Sequence, residues 1–363
     1  MVYMLNENHL KHGLLTRTTF ASVCAHSAIA YENRWNYTKA MLQLVSTMLL
    51  ALAVGCSSSL THSKHRYPVP ESRIHQSAFI EAIAHSQKDI VVAEAPDSLI
   101  QGLQQDTQTS GITFKPKKLL KSASAVANVK RAYKKIPLNV LNLLRGKLYA
   151  IFVTAGLDRL AYANEVYNQE GEMTGGYIVL DYERLNFNAQ SWASGQLKLI
   201  TPALKDSITA EFATKKEDHP SLVFRFVLTE AMGQLIALLD PEVFQQFYIF
   251  SWRKGADGID ENIQEPALGF RSRPFLFNAN EIVKVFDRLS STNLPTLTAS
   301  RGPYSDFAES LAMYLHTQVY HQPFAWHYRD QSMHNYQNCM TANRCAEKIA
   351  YFSNQLAAHT SKK

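Results

Sequence analysis

The strongest helical pattern in the chain is Ser221-Leu-Val-Phe-Arg-Phe-Val-Leu-Thr-Glu-Ala-Met-Gly-Gln-Leu-Ile-Ala-Leu-Leu239. It is apolar nearly all round, which predicts a helix buried in a domain core. Ser221, just after Pro220, reads as its cap, and Asp240-Pro241 as its stop. Upstream, Leu148-Tyr-Ala-Ile-Phe-Val-Thr154 is β-branched and aromatic and predicts a strand. Tyr162 to Tyr167 predicts a second strand, and Tyr177-Ile-Val-Leu-Asp181, entered through Gly175-Gly176, a third. Together they predict a small, partly antiparallel sheet. A basic helical segment ends near Leu144, ahead of the first strand. Beyond the buried helix, a loop-rich region from Lys254 to Tyr304 contains a candidate helix over Ala279–Ser290, and Ser305–His321 predicts another. Ser57 to Gly111 is polar, with helical spacing of Ile74, Phe79, Ile80 and Ile83 and a weaker pair, Leu99 and Leu103. That stretch reads as a spacer or small helical prelude. Strands followed by a buried helix and later helices indicate an α+β domain.

A second apolar run, Met41-Leu-Gln-Leu-Val-Ser-Thr-Met-Leu-Leu-Ala-Leu-Ala-Val-Gly55, has no charge and ends at Cys56. It suits a signal-peptide core and falls short of the about 20 apolar residues of a transmembrane helix. Leu52-Ala53-Val54-Gly55-Cys56 resembles the lipobox of bacterial lipoproteins, although Leu is commoner where Ala53 stands. The resemblance implies cleavage before Cys56, lipid on that cysteine, and Ser57-Ser58-Ser59 as a polar tether. The competing reading is a buried hydrophobic helix with an incidental cysteine. Arg34 and Lys39 supply a basic start, and the segment ahead of them is long for a signal peptide. The expected start therefore lies nearer Arg34 or Met41, with a genuine long leader as the other reading. Ser57 stands where an inner-membrane retention signal would have Asp, which favours the outer membrane, facing the periplasm, in a two-membrane bacterium.

On this reading residues 1–55 are leader, 56–110 tether and helical prelude, and 111–363 the main domain. Cleavage leaves 308 residues, with 33 basic against 29 acidic residues and a net charge of +4. Much of the basic charge lies between Lys115 and Lys147, including Lys117, Lys118, Lys121, Lys130 and Arg131. Such a stretch suits a solvated helix face or contact with anionic head groups. No aromatic interleaving or nucleic-acid motif accompanies it, so nucleic acid is not an expected partner. Cys339 and Cys345 are the only cysteines after Cys56. In an oxidising compartment they suit a local disulfide, while a zinc site would lack a second pair.

Candidate chemistry lies on the buried helix, where Glu230 and Gln234 share one face at i and i+4. Polar groups on so apolar a helix need a partner, a water-filled cleft or an ion. The segment Val227-Leu-Thr-Glu-Ala-Met-Gly-Gln-Leu-Ile236 resembles the active helix of zinc metallopeptidases, built on His-Glu-x-Gly-His. Glu230 falls at the first histidine, Ala231 at the glutamate, Gly233 at the glycine and Gln234 at the second histidine. Ser305-Asp-Phe-Ala-Glu-Ser-Leu-Ala-Met-Tyr-Leu315 resembles the helix that gives gluzincins their third zinc ligand, with Glu309 at the ligand position. Gly175–Asp181 would then match the strand lining the substrate cleft.

The resemblance implies a zincin-like fold with a small mixed sheet, a buried active helix and a helical C-terminal part. The HExxH motif is degenerate, because both histidines are replaced and Ala231 stands where the water-activating glutamate would be. The ligand set Glu309, Glu230 and Gln234 is all oxygen, and suits harder ions than zinc. A second register sets Thr229-Glu230 against His-Glu and Gly233 against the second histidine, keeping Glu230 as a glutamate base and leaving no metal ligand on the helix. Plainer readings remain open: Asp306 and Glu309 have capping-box spacing, and Glu230 and Gln234 suit core hydrogen bonds. His316, His321, His327 and His334, spaced 5, 6 and 7 apart, lack helical metal-site spacing. The expected function is an envelope-anchored pseudoenzyme without a cofactor, membrane-bound through its lipid and binding or scaffolding a peptide or envelope protein. The alternative is an active peptidase or hydrolase using zinc or another divalent ion through non-standard ligands.

Overall fold

Two strands made almost wholly of apolar residues organise the molecule. The computed structural model describes residues 80, 90–109, 115–204, 207–252, 277–330 and 332–360. The apolar run before Cys56, Cys56 itself, the serine tether, Ile74, Phe79 and Ile83 lie outside the described residues.

In chain order the named elements are β1 (Val91–Glu94), α1 (Asp97–Thr109), α2 (Ser122–Tyr133), α3 (Leu138–Leu143), β2 (Leu148–Thr154), β3 (Ala161–Tyr167) and β4 (Met173–Asp181). There follow α4 (Tyr182–Leu185), α5 (Ala189–Ile200), β5 (Ile208–Glu211), α6 (Pro220–Leu239), α7 (Pro241–Tyr248) and α8 (Ala279–Ser290). The chain ends with α9 (Pro303–Tyr314), β6 (Ala325–Arg329), β7 (Met333–Gln337) and α10 (Ala346–Ala358). The fold is mixed α+β.

The first sheet runs β1-β2-β4-β3, with β1, β2 and β4 parallel and β3 antiparallel to β4. Side chains alternate across it, as the two-residue period of a strand requires. Ile151, Val153, Ile178 and Leu180 join the main core, while Ala150, Phe152, Tyr177 and Val179 meet Leu99 and Leu103 of α1. Both faces are covered, which explains why β2 and β4 read as unbroken apolar runs. Ile80 is buried in the α1-side cluster. The three strands read from the sequence form the expected small mixed sheet, and β1 adds a fourth from the stretch read as prelude.

The second sheet, β5-β6-β7, is antiparallel throughout and was not expected. Its strands are four or five residues long, too short for a clear periodic signal. Trp326, Tyr328 and Tyr336 nevertheless alternate inward, with Trp326 opposite Tyr336.

Helix α6 forms the core as its composition predicts, packing against α9, α2, β3 and β4. It is long and apolar enough to cross a membrane, yet 83% of that apolar window is buried inside the fold, as in a soluble core helix. Ser221 is not its cap. The helix starts at Pro220, whose fixed φ suits a first turn, and His219 precedes it without a side-chain cap. Asp240 ends α6 and caps α7, its carboxylate accepting the Val243 amide at 3.2 Å. Helix α8 coincides with the expected Ala279–Ser290 and opens with an Asn278–Glu281 capping box. Helix α9 begins two residues before the expected Ser305 and runs on as a π turn over Leu315–Val319. The capping-box reading of Asp306 and Glu309 fails, because Gly302 is the cap position and both residues lie inside the helix.

Cys339 and Cys345 form a disulfide with Cα atoms 5.2 Å apart, and Cys345 is the residue before α10. The sequence reading of a local disulfide is the observed one.

Candidate functional site

Helices α6 and α9 cross at unusually close range. A Cβ at Gly233 would lie 2.8 Å from the Ala308 Cα and 3.3 Å from its carbonyl oxygen, so only glycine fits the crossing. Gly176 of β4 makes the equivalent space on the sheet side, where a Cβ would lie 2.5 Å from Leu235 Cδ2. These two glycines seat α6 between the sheet and α9.

The crossing brings Glu230 of α6 and Glu309 of α9 into one buried site, at 1% and 0% exposure. Burial pushes the Glu309 carboxyl up to about 7; Glu230, Thr296 and the Arg301 charge oppose the shift without cancelling it. Burial in a low-dielectric site disfavours the charged form, so Glu309 holds its proton into the neutral range. The Thr296 and Glu230 side chains are loose hydrogen-bonding neighbours of the Glu309 carboxyl, outside strict hydrogen-bond geometry, and Arg301 acts on it through its charge. Gln234, half-buried one turn beyond Glu230, is not brought into the pocket described below. Among the described residues, no group of three or more His, Cys, Asp or Glu side chains is arranged to hold a metal ion.

Where the metallopeptidase resemblance would place a catalytic base, the side chain is a methyl group. Ala231 is 2% exposed and belongs to the hydrophobic core. In the second register, Thr229 would replace the first histidine, but its hydroxyl donates to the Arg225 carbonyl of its own helix at 2.8 Å. The motif helix thus offers Glu230 as the one titratable group at this crossing.

Beside Glu309 opens a small cavity of about 60 Å³. Its walls include Trp192 of α5, Phe212 after β5, Phe226 of α6, Phe324 and Trp326 around the start of β6, and Glu309 itself, with the polar residues Gln196, Thr296 and Thr298 among the rest. The rings hold one another: Phe212 stacks on His316 at 4.2 Å and meets Phe226 edge-on at 5.2 Å, and Trp192 tilts against Phe212 at 5.3 Å. None of these aromatics stood out in the sequence. They come from four separate segments, and each looks like ordinary core until the chain folds.

Three residues before Glu309, Asp306 has quite different surroundings. Lys348 Nζ of α10 donates to both its carboxylate oxygens at 2.7 Å, Trp252 Nε1 donates to Oδ2 at 3.1 Å, and Ser310 Oγ to Oδ1 at 3.0 Å. Burial lowers the Lys348 pKa, and the Asp306 charge acts against that. Arg225, on α6 and missed by the sequence reading, is also buried; it donates to Glu217 at 2.9 Å and lies over the Tyr320 ring. The late histidines do not gather. His316 is buried and held neutral, its pKa lowered to about 4 by burial, with Nε2 donating to the Pro323 carbonyl at 3.1 Å. His327 pairs with Asn335 and His334 with Asp330 at the surface, while His321 takes a left-handed backbone at φ 52°.

Comparison with known proteins gives no match to any family model, to any curated protein or to any solved structure.

Proposed function

We propose that the chain is an exported, lipid-anchored envelope protein whose zincin-like domain binds a peptide or protein instead of cleaving one. The observation that carries this reading is the α6–α9 crossing. The positions aligned with two metal ligands, Glu230 and Glu309, meet there, while the position aligned with the catalytic base is the buried methyl of Ala231. A methyl group accepts no proton, so water activation has no agent at that place. Fold-level analogy supports it: a mixed sheet with one antiparallel strand, then a buried helix, then a second helix bringing a glutamate to it. The anchor rests on the apolar run ending at Cys56.

The test is metal analysis of the purified chain together with a general peptide-hydrolysis assay. The binding reading expects neither stoichiometric zinc nor chelator-sensitive cleavage, and finding both would replace it with the living-enzyme reading. For the anchor, Cys56→Ser should abolish lipid labelling and membrane retention; undiminished retention would remove that part of the proposal.

A further inference from the structure

Outside the motif positions, the aromatic cavity carries chemistry of its own. Its walls are mostly apolar, with Gln196, Thr296 and Thr298 beside one fully buried carboxyl, and among the described residues no cation pairs with that carboxyl at contact distance. A buried carboxylate without a cationic partner is costly, and a ligand that supplies the cation recovers that cost. Aromatic faces favour a cation and also accept an apolar stem, so the walls and the carboxyl ask for the same kind of molecule.

We propose that this cavity is a binding site for a compact organic ammonium ion, whose cationic head meets Glu309 and whose short apolar stem lies among Trp192, Phe212, Phe226, Phe324 and Trp326. The size sets an upper limit on the stem. A cavity of about 60 Å³ is less than half the roughly 150 Å³ of an apolar cavity that accepts benzene. It suits a stem of about three carbons, with any larger part of the ligand outside. The ring contacts, such as Trp192 on Phe212 and Phe324 on Trp326 at 6.0 Å, keep the site preformed. This deepens the binding reading above and rests on it in one respect, that the cleft holds a ligand without turning it over.

The experiment uses the full chain and n-propylammonium, with propan-1-ol as the uncharged match and calcium and magnesium chloride as inorganic cations. Trp192 and Trp326 line the cavity, so their fluorescence reports occupancy beside calorimetry. The expected result is saturable propylammonium binding with a Kd on the order of 1 mM, as befits so small a ligand, and propanol weaker by roughly tenfold or more. Glu309→Gln should erase the preference for the ammonium, and Ala193→Phe should block both ligands by filling the cavity while leaving the carboxyl in place. Equal binding of amine and alcohol, unchanged selectivity in Glu309→Gln, binding of the metal ions alone, or no binding would each overturn the proposal. Peptide hydrolysis reports separately on the binding reading: cleavage with intact ammonium selectivity would remove that reading and leave this site standing.

Discussion

Asp306 and Glu309 stand three residues apart on one helix, both at 0% exposure, and the fold treats them in opposite ways. Asp306 accepts from Lys348, Trp252 and Ser310, so its charge is fully answered. Glu309 faces Glu230, a second carboxyl, and the wall of an aromatic cavity. Burial alone therefore does not mark a functional group. The first carboxylate locks α9 to α10, whereas the second lacks a cation in contact and keeps its proton more readily. Strained electrostatics of that second kind gather at functional sites more often than in plain core.

The sharpest way to break the contrast is to remove the answer to Asp306. Lys348→Met keeps the volume and takes away the ammonium, leaving a buried carboxylate with two neutral donors. Loss of one partner of a buried pair typically costs about 3–5 kcal/mol, and that is the expected fall in unfolding free energy by urea titration. Asp306→Asn added to Lys348→Met should return much of it. A loss below about 1 kcal/mol in the single variant would mean that Asp306 is no better answered than Glu309.

The disulfide tests the same lock from its other end. Cys345 directly precedes α10 and lies three residues ahead of Lys348, so the Cys339–Cys345 link helps to place the ammonium. Closing so short a loop is worth on the order of 2 kcal/mol in the chain-entropy account. Replacing both cysteines by alanine should lower stability by that amount. Combined with Lys348→Met, the losses should be less than additive, because the two changes act on one contact. Combined with Glu309→Gln they should add, since that carboxyl answers to α6 and not to α10.

How far the site was legible follows from the same residues. Strands β2 and β4, helix α6 and helix α8 carry strong local patterns, and the folded chain places them where those patterns predict. Glu230 and Glu309 were visible because a charged residue on an apolar helix stands out in any sequence. What Asp306 does was not visible: capping-box spacing gave it a local explanation, while its true partner, Lys348, lies 42 residues away. The cavity was hidden for a related reason. Its aromatics reach one point through β5 and β6, strands of four and five residues whose pairing is set by tertiary contact and not by local propensity.

The mildest prediction concerns Glu309 itself, and here the sign matters. Its folded-state pKa is raised from 4.5 to about 7, so the folded protein holds a proton that the unfolded chain gives up sooner. The stability this group contributes is complete below about pH 4.5 and is lost as pH rises through about 7. Glu309→Gln removes the titration and keeps the shape. The variant should match the parent near pH 5 and exceed it by about 1 kcal/mol near pH 8, where the parent must bury a charge that its neighbours only partly offset. Among the described residues, the charged and titratable groups acting on Glu309 are Glu230 from α6, Arg301 from the turn before α9 and Tyr336 from β7. None of these is altered by the substitution. His316, whose depressed pKa destabilises the fold as pH falls below about 6.5, is common to both proteins and cancels in the difference. Denaturant titrations of the pair at several pH values give the comparison directly. A gap that widens with pH marks Glu309 as the carboxyl of α9 whose charge is incompletely offset, and a constant gap would put it in the same class as Asp306.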